Sequence, residues 1–330
     1  MKSARSILVV ASLLLAACGG PGRGPRLRVQ VPPGASLGQV ADSLHARGIV
    51  NVTPAFRIYA RLTGSDARIK PGTYGFRRGQ SWRSVLEDLR EGRVITAKLV
   101  IPEAWSTAGI ALRIAAITGV DSATILKKLL DPAQPERYHV PGPTLEGYLY
   151  PATYDFPVNV AVDTVITHLV AAYRRIWTPA RRARADSMKL SERAVITLAS
   201  IVEKEAKKRA EMPLIASVYH NRLRIGIPLQ ADPTVQYALG IHRERLLYSD
   251  IREVAKSPYN TYRIKGLPPG PIGSPSSMAI DATLHPADTK FLYFVAHPDG
   301  THIFTRSLAD HNRAKNKVRQ EGRAAAPKTP

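Results

Sequence analysis

Leu27-Arg28-Val29-Gln30-Val31-Pro32-Pro33-Gly34-Ala35-Ser36 sets the fold class within a short stretch. Apolar residues at 27, 29 and 31 alternate with polar ones, the period of a half-buried strand, and Pro32-Pro33-Gly34 turns the chain. Ser36 is placed to cap a helix that carries Leu37, Val40, Ala41 and Leu44 on one face, with Gly48 just past its end. Working outward, Thr53-Pro54 opens a second helix with Phe56, Ile58, Tyr59 and Leu62 inward and Gly64 as its stop. Residues 74–76 read as a brief strand. Ser81 caps a third helix bearing Trp82, Val85, Leu86 and Leu89, which ends at Gly92. Strand, helices and strand over 26–96 predict a small α+β unit.

The remainder is longer and richer in helix. Residues 94–101 read as a strand, and 107–117 and 122–130 have helical spacing. A loop then holds Glu146-Gly147-Tyr148-Leu149-Tyr150-Pro151-Ala152-Thr153-Tyr154. Residues 163–177 form an amphipathic helix. Ser191 caps another that runs through Glu205 and as far as Ala210. Pro213 opens a helix over 214–224 that Gly226 closes, and Asp232-Pro233 starts a short one ending near Gly240. The Gly, Pro and Ser density over 265–277 calls for a shaped loop. Strands at 291–296 and 301–305 flank His297-Pro298-Asp299-Gly300 as a hairpin. The expected fold class is α+β: the small unit, then a larger mixed, helix-rich domain over 97–319 with a C-terminal β-hairpin, and a disordered tail over 320–330.

The N-terminus speaks to compartment. Lys2 and Arg5 precede an apolar run over 6–17 that is too short to span a bilayer and suits a signal peptide over 1–17. Leu15-Ala16-Ala17-Cys18 has the form of a lipobox, which makes Cys18 the lipidation site, with a Gly/Pro-rich tether over 18–25. Cys18 is the single cysteine, so an internal disulfide and a cysteine-ligated zinc site are excluded. No metal and no cofactor is expected. The chain of 330 residues carries 47 basic and 26 acidic residues, a formal charge of +21. The arginines are scattered along helices without an aromatic-basic strip, which speaks against nucleic acid. Anionic phospholipid and carboxylate-bearing cell wall suit the same charge.

The phosphate-loop, nucleophile-elbow and zincin motifs are absent. What stands out is the segment around Ser200-Ile201-Val202-Glu203-Lys204-Glu205, because Val195, Ile196, Leu198, Ala199, Ile201 and Val202 leave it almost no polar face. A helix apolar nearly all round is buried. Glu203 and Glu205 point about 200° apart on such a helix, so they are not the opposed pair of an ordinary glycosidase. A carboxyl against apolar walls rises in pKa and can serve as a general acid. The plain structural alternative has both glutamates emerging into solvent beside Lys204, Lys207 and Lys208.

These residues, with Ala216-Ser217-Val218-Tyr219-His220-Asn221-Arg222-Leu223, Leu229-Gln230-Ala231-Asp232-Pro233-Thr234-Val235-Gln236-Tyr237, Tyr259-Asn260-Thr261-Tyr262 and Gly266-Leu267-Pro268-Pro269-Gly270-Pro271-Ile272, resemble the endolytic murein transglycosylase (YceG/MltG-like) family. The resemblance runs from about residue 27 to 316. It implies a LysM-like N-terminal subdomain, a catalytic domain, and cleavage of the β-1,4 MurNAc–GlcNAc bond within peptidoglycan strands to leave 1,6-anhydro-MurNAc ends. One glutamate serves there as acid and then base. It implies Glu205 as that residue, with Glu203 as the alternative; Ala206 stands where relatives carry a small hydroxyl residue.

Tyr148, Tyr154, Gln230, Asp232, Asn260 and Tyr262 are the candidate substrate-binding residues. Tyr148 and Tyr154 are also candidates for packing, Asp232 for an ordinary N-cap, and His285 for a structural loop position. The implied partners are peptidoglycan glycan strands, a membrane through the lipid anchor, and peptidoglycan synthases. The implied location is the cell envelope, facing the periplasm. Familiar family members use a transmembrane helix where this chain has Cys18. A non-catalytic peptidoglycan-binding scaffold and a muramidase-type hydrolase are the rival readings.

Overall fold

Ser36 caps the first helix as its position implies. In the computed structural model, which describes residues 20–241, 243 and 246–325, its hydroxyl accepts from the Gln39 amide while Gln39 returns a bond to the Ser36 backbone. This reciprocal pair satisfies two donors that a helix start leaves open. The described chain divides into two compact units: one ends at Leu99 and also takes in Tyr154–Val160, and the other begins at Val100. The expected signal peptide and lipidation site at Cys18 lie outside the described residues.

In the first unit, strand β1 (Pro21–Val31) pairs antiparallel with β2 (Gly72–Gln80), Val29 opposite Tyr74 and Leu27 opposite Phe76. Helices α1 (Leu37–Ala46), α2 (Thr53–Leu62) and α3 (Trp82–Glu91) complete it. Val29, Val31, Val40, Leu44, Phe56, Tyr74, Phe76, Val85 and Leu89 form its core. Phe56 meets Trp82 edge-on with ring centres 5.7 Å apart, a favoured aromatic geometry.

Three expectations change here. Residues 21–25, read as tether, belong to β1, with Pro21 opposite Gln80 and Arg23 opposite Arg78. Gly22 and Gly24 take φ of +78° and +79°, and the register shifts between Arg23 and Leu27. In α2 the inward face is Phe56 and Ala60, while Ile58 and Leu62 are exposed. The strand expected at 74–76 runs from Gly72 to Gln80 because β1 offers it a partner over that whole length.

Strand β3 (Thr96–Val100) pairs with β4 (Thr153–Pro157), at the end of the segment read as a loop. The second unit holds α4 (Thr107–Thr118), α5 (Ser122–Leu130), α6 (Gln134–Tyr138), α7 (Val162–Ile176), α8 (Pro179–Ser187) and α9 (Glu192–Glu205). It continues with α10 (Met212–Arg224), α11 (Asp232–Leu239), α12 (Tyr248–Glu253), α13 (Ser277–Leu284), the hairpin β5 (Tyr293–Ala296) and β6 (His302–Thr305), and α14 (Leu308–Ala325).

Helix α9 is the axis of this unit. Every residue from Val195 to Val202 is buried, and α10 and α13 pack on it. Each large aliphatic side chain so buried contributes about 1.5–3 kcal/mol. The helix stops at Glu205, not Ala210: Ala206 turns extended at φ −72° and ψ 110°. Arg209–Glu211 is a separate 3-10 turn. The tail from residue 320 also differs, since α14 runs on to Ala325.

The Pro/Gly-rich loop is fixed to α9 and its surroundings. The Ile272 amide donates to Ser200 Oγ at 3.0 Å, the Ala104 amide to the Ser274 carbonyl and the Ser274 amide to the Trp105 carbonyl, both at 2.9 Å. Gly147, at φ +83°, lies so close to Pro271 that an added Cβ would come within 2.4 Å of it. Only a glycine fits that approach.

Candidate active site

The last three residues of α9 go to three different partners. Glu203 accepts from the Ser276 amide at 2.9 Å and from the Ser276 hydroxyl at 2.5 Å. Ser276 is the N-cap of α13, so Glu203 ties two helices together. The Lys204 side chain runs against Gly273, and the charge of Glu146 acts on it. Glu205 receives the Tyr219 hydroxyl at 3.0 Å. Neither glutamate forms an ion pair with the neighbouring lysines among the described residues, unlike the plain structural alternative.

Glu205 has the environment of a general acid. Removal from water raises its pKa, the nearby Asp232 carboxylate raises it further, and the Tyr219 hydrogen bond lowers it; the result is about 7. A helix C-terminus presents carbonyl ends that also disfavour a negative charge. Near neutral pH the group is therefore populated in both protonation states, which proton donation followed by proton abstraction requires.

Asp232 and Tyr262 stand beside it. The expected cap at Asp232 is not formed: the N-cap is Ala231 and no side chain caps α11. Asp232 is the first residue of the helix, and its carboxylate accepts from the Tyr262 hydroxyl. Burial and the Asp232 charge hold the Tyr262 phenol well above its usual range. Gln230 is exposed, in a left-handed conformation at φ +52°. Its side-chain oxygen accepts from Arg222 at 3.2 Å, and its amide donates to the Thr261 carbonyl at 3.0 Å. Arg222, nearly all buried, also donates to the carbonyls of Pro228, Leu229 and Leu292. It thereby shapes the turn that carries Gln230.

Two candidates are not surface groups. Asn260 is fully buried. Its amide nitrogen donates to the Ile251 and Val254 carbonyls and its oxygen accepts from the Tyr262 amide. With every polar group engaged, it positions Tyr262 and cannot meet a ligand. Tyr148 is fully buried too, edge-on to Tyr173 at 5.2 Å, so it packs and does not stack on a sugar. Tyr154 lies in β4 of the first unit, stacked with Phe156. His285 is exposed just beyond α13, its amide on the Asp281 carbonyl.

Glu146 is the group that sequence reasoning passed over. Its carboxylate accepts from the Thr107 amide at 3.1 and 3.2 Å, the Thr107 hydroxyl at 2.9 Å and the Tyr237 hydroxyl at 3.3 Å. Burial pushes it up to about 7 against those donors and the Lys204 charge. A carboxylate between Leu145 and Gly147 in an apolar run was the available signal. Tyr219 and Arg222 were also missed, although both lie in a quoted motif.

Among the described residues no group of three or more His, Cys, Asp or Glu could hold a metal ion. No helix among them is long and apolar enough to cross a membrane.

The YceG-like family model matches residues 29–317. The chain is 32% identical over 307 residues to an endolytic murein transglycosylase of Bacillus subtilis (strain 168), covering 88% of this chain and 84% of that one. It is 29% identical over 315 residues to an endolytic murein transglycosylase of Streptococcus pneumoniae serotype 2, covering 86% of this chain and 57% of the relative. A crystal structure of a YceG-like protein from Listeria monocytogenes matches with a TM-score of 0.61 and 34% identity, over 87% of this chain and 98% of that one. With the family model spanning nearly all the described residues, the chain belongs to the YceG-like family.

Proposed function

We propose that this chain is an endolytic lytic transglycosylase that cuts the β-1,4 bond between MurNAc and GlcNAc within peptidoglycan strands. The relatives' activity supports the reaction class. The observation that carries the residue assignment is the contrast at the end of α9: Glu203 is consumed by Ser276, whereas Glu205 has one donor and a carboxyl poised near neutrality. Glu205 protonates the glycosidic oxygen as the C1–O4 bond breaks. Its carboxylate then takes the proton of the MurNAc 6-hydroxyl as that oxygen bonds to C1, leaving a 1,6-anhydro end. No water is consumed, and Glu205 ends protonated as it began. Asp232 keeps Glu205 protonated through its charge, and Gln230 and Tyr262 line the sugar cleft.

In this reading the chain is exported and held at the envelope by lipid on Cys18. Its 26–96 unit is LysM-like and grips glycan, and the cuts end elongation of nascent strands beside peptidoglycan synthases. A second reading, muramidase-type hydrolysis, is favoured by Asp232, a second carboxylate close enough for its charge to act on Glu205. Digestion of purified peptidoglycan by the chain lacking residues 1–18, followed by mass spectrometry, separates the two. Anhydro ends that vanish with Glu205→Gln support the transglycosylase; reducing ends identify a hydrolase. Loss with Glu203→Gln alone moves the acid two residues upstream, and no product from a folded, glycan-binding chain points to a scaffold.

A further inference from the structure

The first unit collects positive charge on one small sheet. Between residues 20 and 99, fourteen lysines and arginines face five aspartates and glutamates. Strands β1 and β2 hold five of those arginines, Arg23, Arg26, Arg28, Arg77 and Arg78, and no acidic residue at all. All five are exposed. Arg23 stands directly opposite Arg78 in the ladder, but Arg78 is on the side of Phe76 and reaches toward Gly48, so this pair lies apart from the outer side. Arg26 lies over Gly75, its Cδ 3.4 Å from where a Cβ on that glycine would sit, and Arg77 lies beside Gly22 in the same way. With Leu27, Val29 and Val31 turned to the core side, strand alternation turns Arg26 and Arg28 to the other. None of the five has an ion pair within the described residues, although Arg93, in the same unit, is paired with Asp88 and Glu91. Arg26, Arg28 and Arg77 thus share the outer side of a sheet whose two strands carry no acidic residue.

The position of this sheet in the chain indicates the occupant. Pro21, the first residue of β1, is three positions after Cys18, so at about 3.3–3.6 Å per residue a lipid on that cysteine keeps the sheet within roughly 10 Å of its bilayer. We propose that the arginine face of the β1–β2 sheet docks on anionic phospholipid headgroups. The proposal rests on the reading of Cys18 as the anchor for why a bilayer lies in reach, while the docking chemistry is the sheet's own. Each basic side chain held near an anionic leaflet adds about 1 kcal/mol of attraction. The sheet would thus hold the unit flat on the surface, where the lipid alone would leave it free to swing.

The test uses the unlipidated chain from Gly19 onward, which contains every described residue, so its result does not depend on Cys18 or on enzymatic activity. Co-sedimentation is measured with vesicles of phosphatidylcholine alone and of phosphatidylcholine mixed with phosphatidylglycerol, at low and high salt. The expected result is binding to the mixed vesicles only, weakened by salt. Arg26→Gln, Arg28→Gln and Arg77→Gln together should lose about a hundredfold in affinity, with an unchanged melting temperature showing the fold intact. A control triple, Arg57→Gln, Arg61→Gln and Arg83→Gln, removes the same charge from exposed helix positions of the same unit and should retain most binding. Equal losses in the two triples would reduce the effect to net charge and overturn the docking face. So would equal binding to both vesicle types, or binding to peptidoglycan sacculi but to neither vesicle.

Discussion

Two buried carboxyls, Glu146 and Glu205, are both held at about 7 by burial, yet their surroundings are opposite. Glu146 meets the amide and hydroxyl of Thr107 and the hydroxyl of Tyr237, with the Lys204 charge nearby. Glu205 meets one tyrosine hydroxyl and a second carboxylate. The first has its lone pairs occupied and joins the start of α4 to α11; the second keeps lone pairs for an incoming group. A raised pKa alone therefore does not mark a catalytic acid. What separates the two is the number of donors already bound to each carboxyl, and the proposed function assigns the acid to the one with fewer.

The largest expected effect tests the Glu205 side of that contrast. Glu205→Gln should lower release of glycan fragments by about 10²–10⁴-fold, the usual contribution of a positioned acid-base group, with little loss of fold. An active Glu205→Gln enzyme would remove the distinction between the two sites. On the other side, Glu146→Ala strands the Thr107 and Tyr237 donors in the interior. At about 1–3 kcal/mol for each of the three unsatisfied groups, urea unfolding should show roughly 3 kcal/mol or more lost. A midpoint equal to the parent's would mean that those bonds hold nothing together.

A third experiment reads protonation directly. Each carboxyl has a folded pKa above its ordinary 4.5, so between 4.5 and about 7 the folded chain keeps protons that the unfolded chain has released. Stability then falls as pH rises through that window and levels off above it. Glu205→Gln lacks its share of this loss. Its melting temperature relative to the parent should climb between pH 5 and pH 8, and a constant difference would mean Glu205 titrates normally. The smallest effects should have opposite signs. Asp232→Asn removes a charge that raises the Glu205 pKa, moving the alkaline limb of activity to lower pH; Tyr219→Phe removes a bond to the carboxylate, moving it higher. Each shift should be about one pH unit or less. Shifts in the same direction would contradict the assigned neighbours.

Local signals were legible where local physics decides. Ser36, Ser81 and Ser191 accept the capping bonds their positions imply, and the apolar run of α9 is buried as its composition demands. The stop at Glu205 was not legible, because no glycine or proline intervenes before Pro213. Nor was the fate of Asn260, which reads as a polar loop residue but closes its own turn. Glu146 reaches Thr107 and Tyr237 across 39 and 91 positions, separations that periodicity cannot see. The arginines of β1 and β2 looked scattered along the chain until strand pairing set them side by side.

The turn at Gln230 carries one more consequence. A non-glycine residue at φ +52° is disfavoured by roughly 1–2 kcal/mol, and glycine would be the comfortable choice there. The fold instead clamps the turn from two sides, through the buried Arg222 and the Thr261 carbonyl. The exposed amide has thus surrendered its freedom during folding, before any partner arrives. If the proposed function holds, a sugar that meets it would lose little to ordering the protein, and rigidity, more than contact area, would set the strength and geometry of binding.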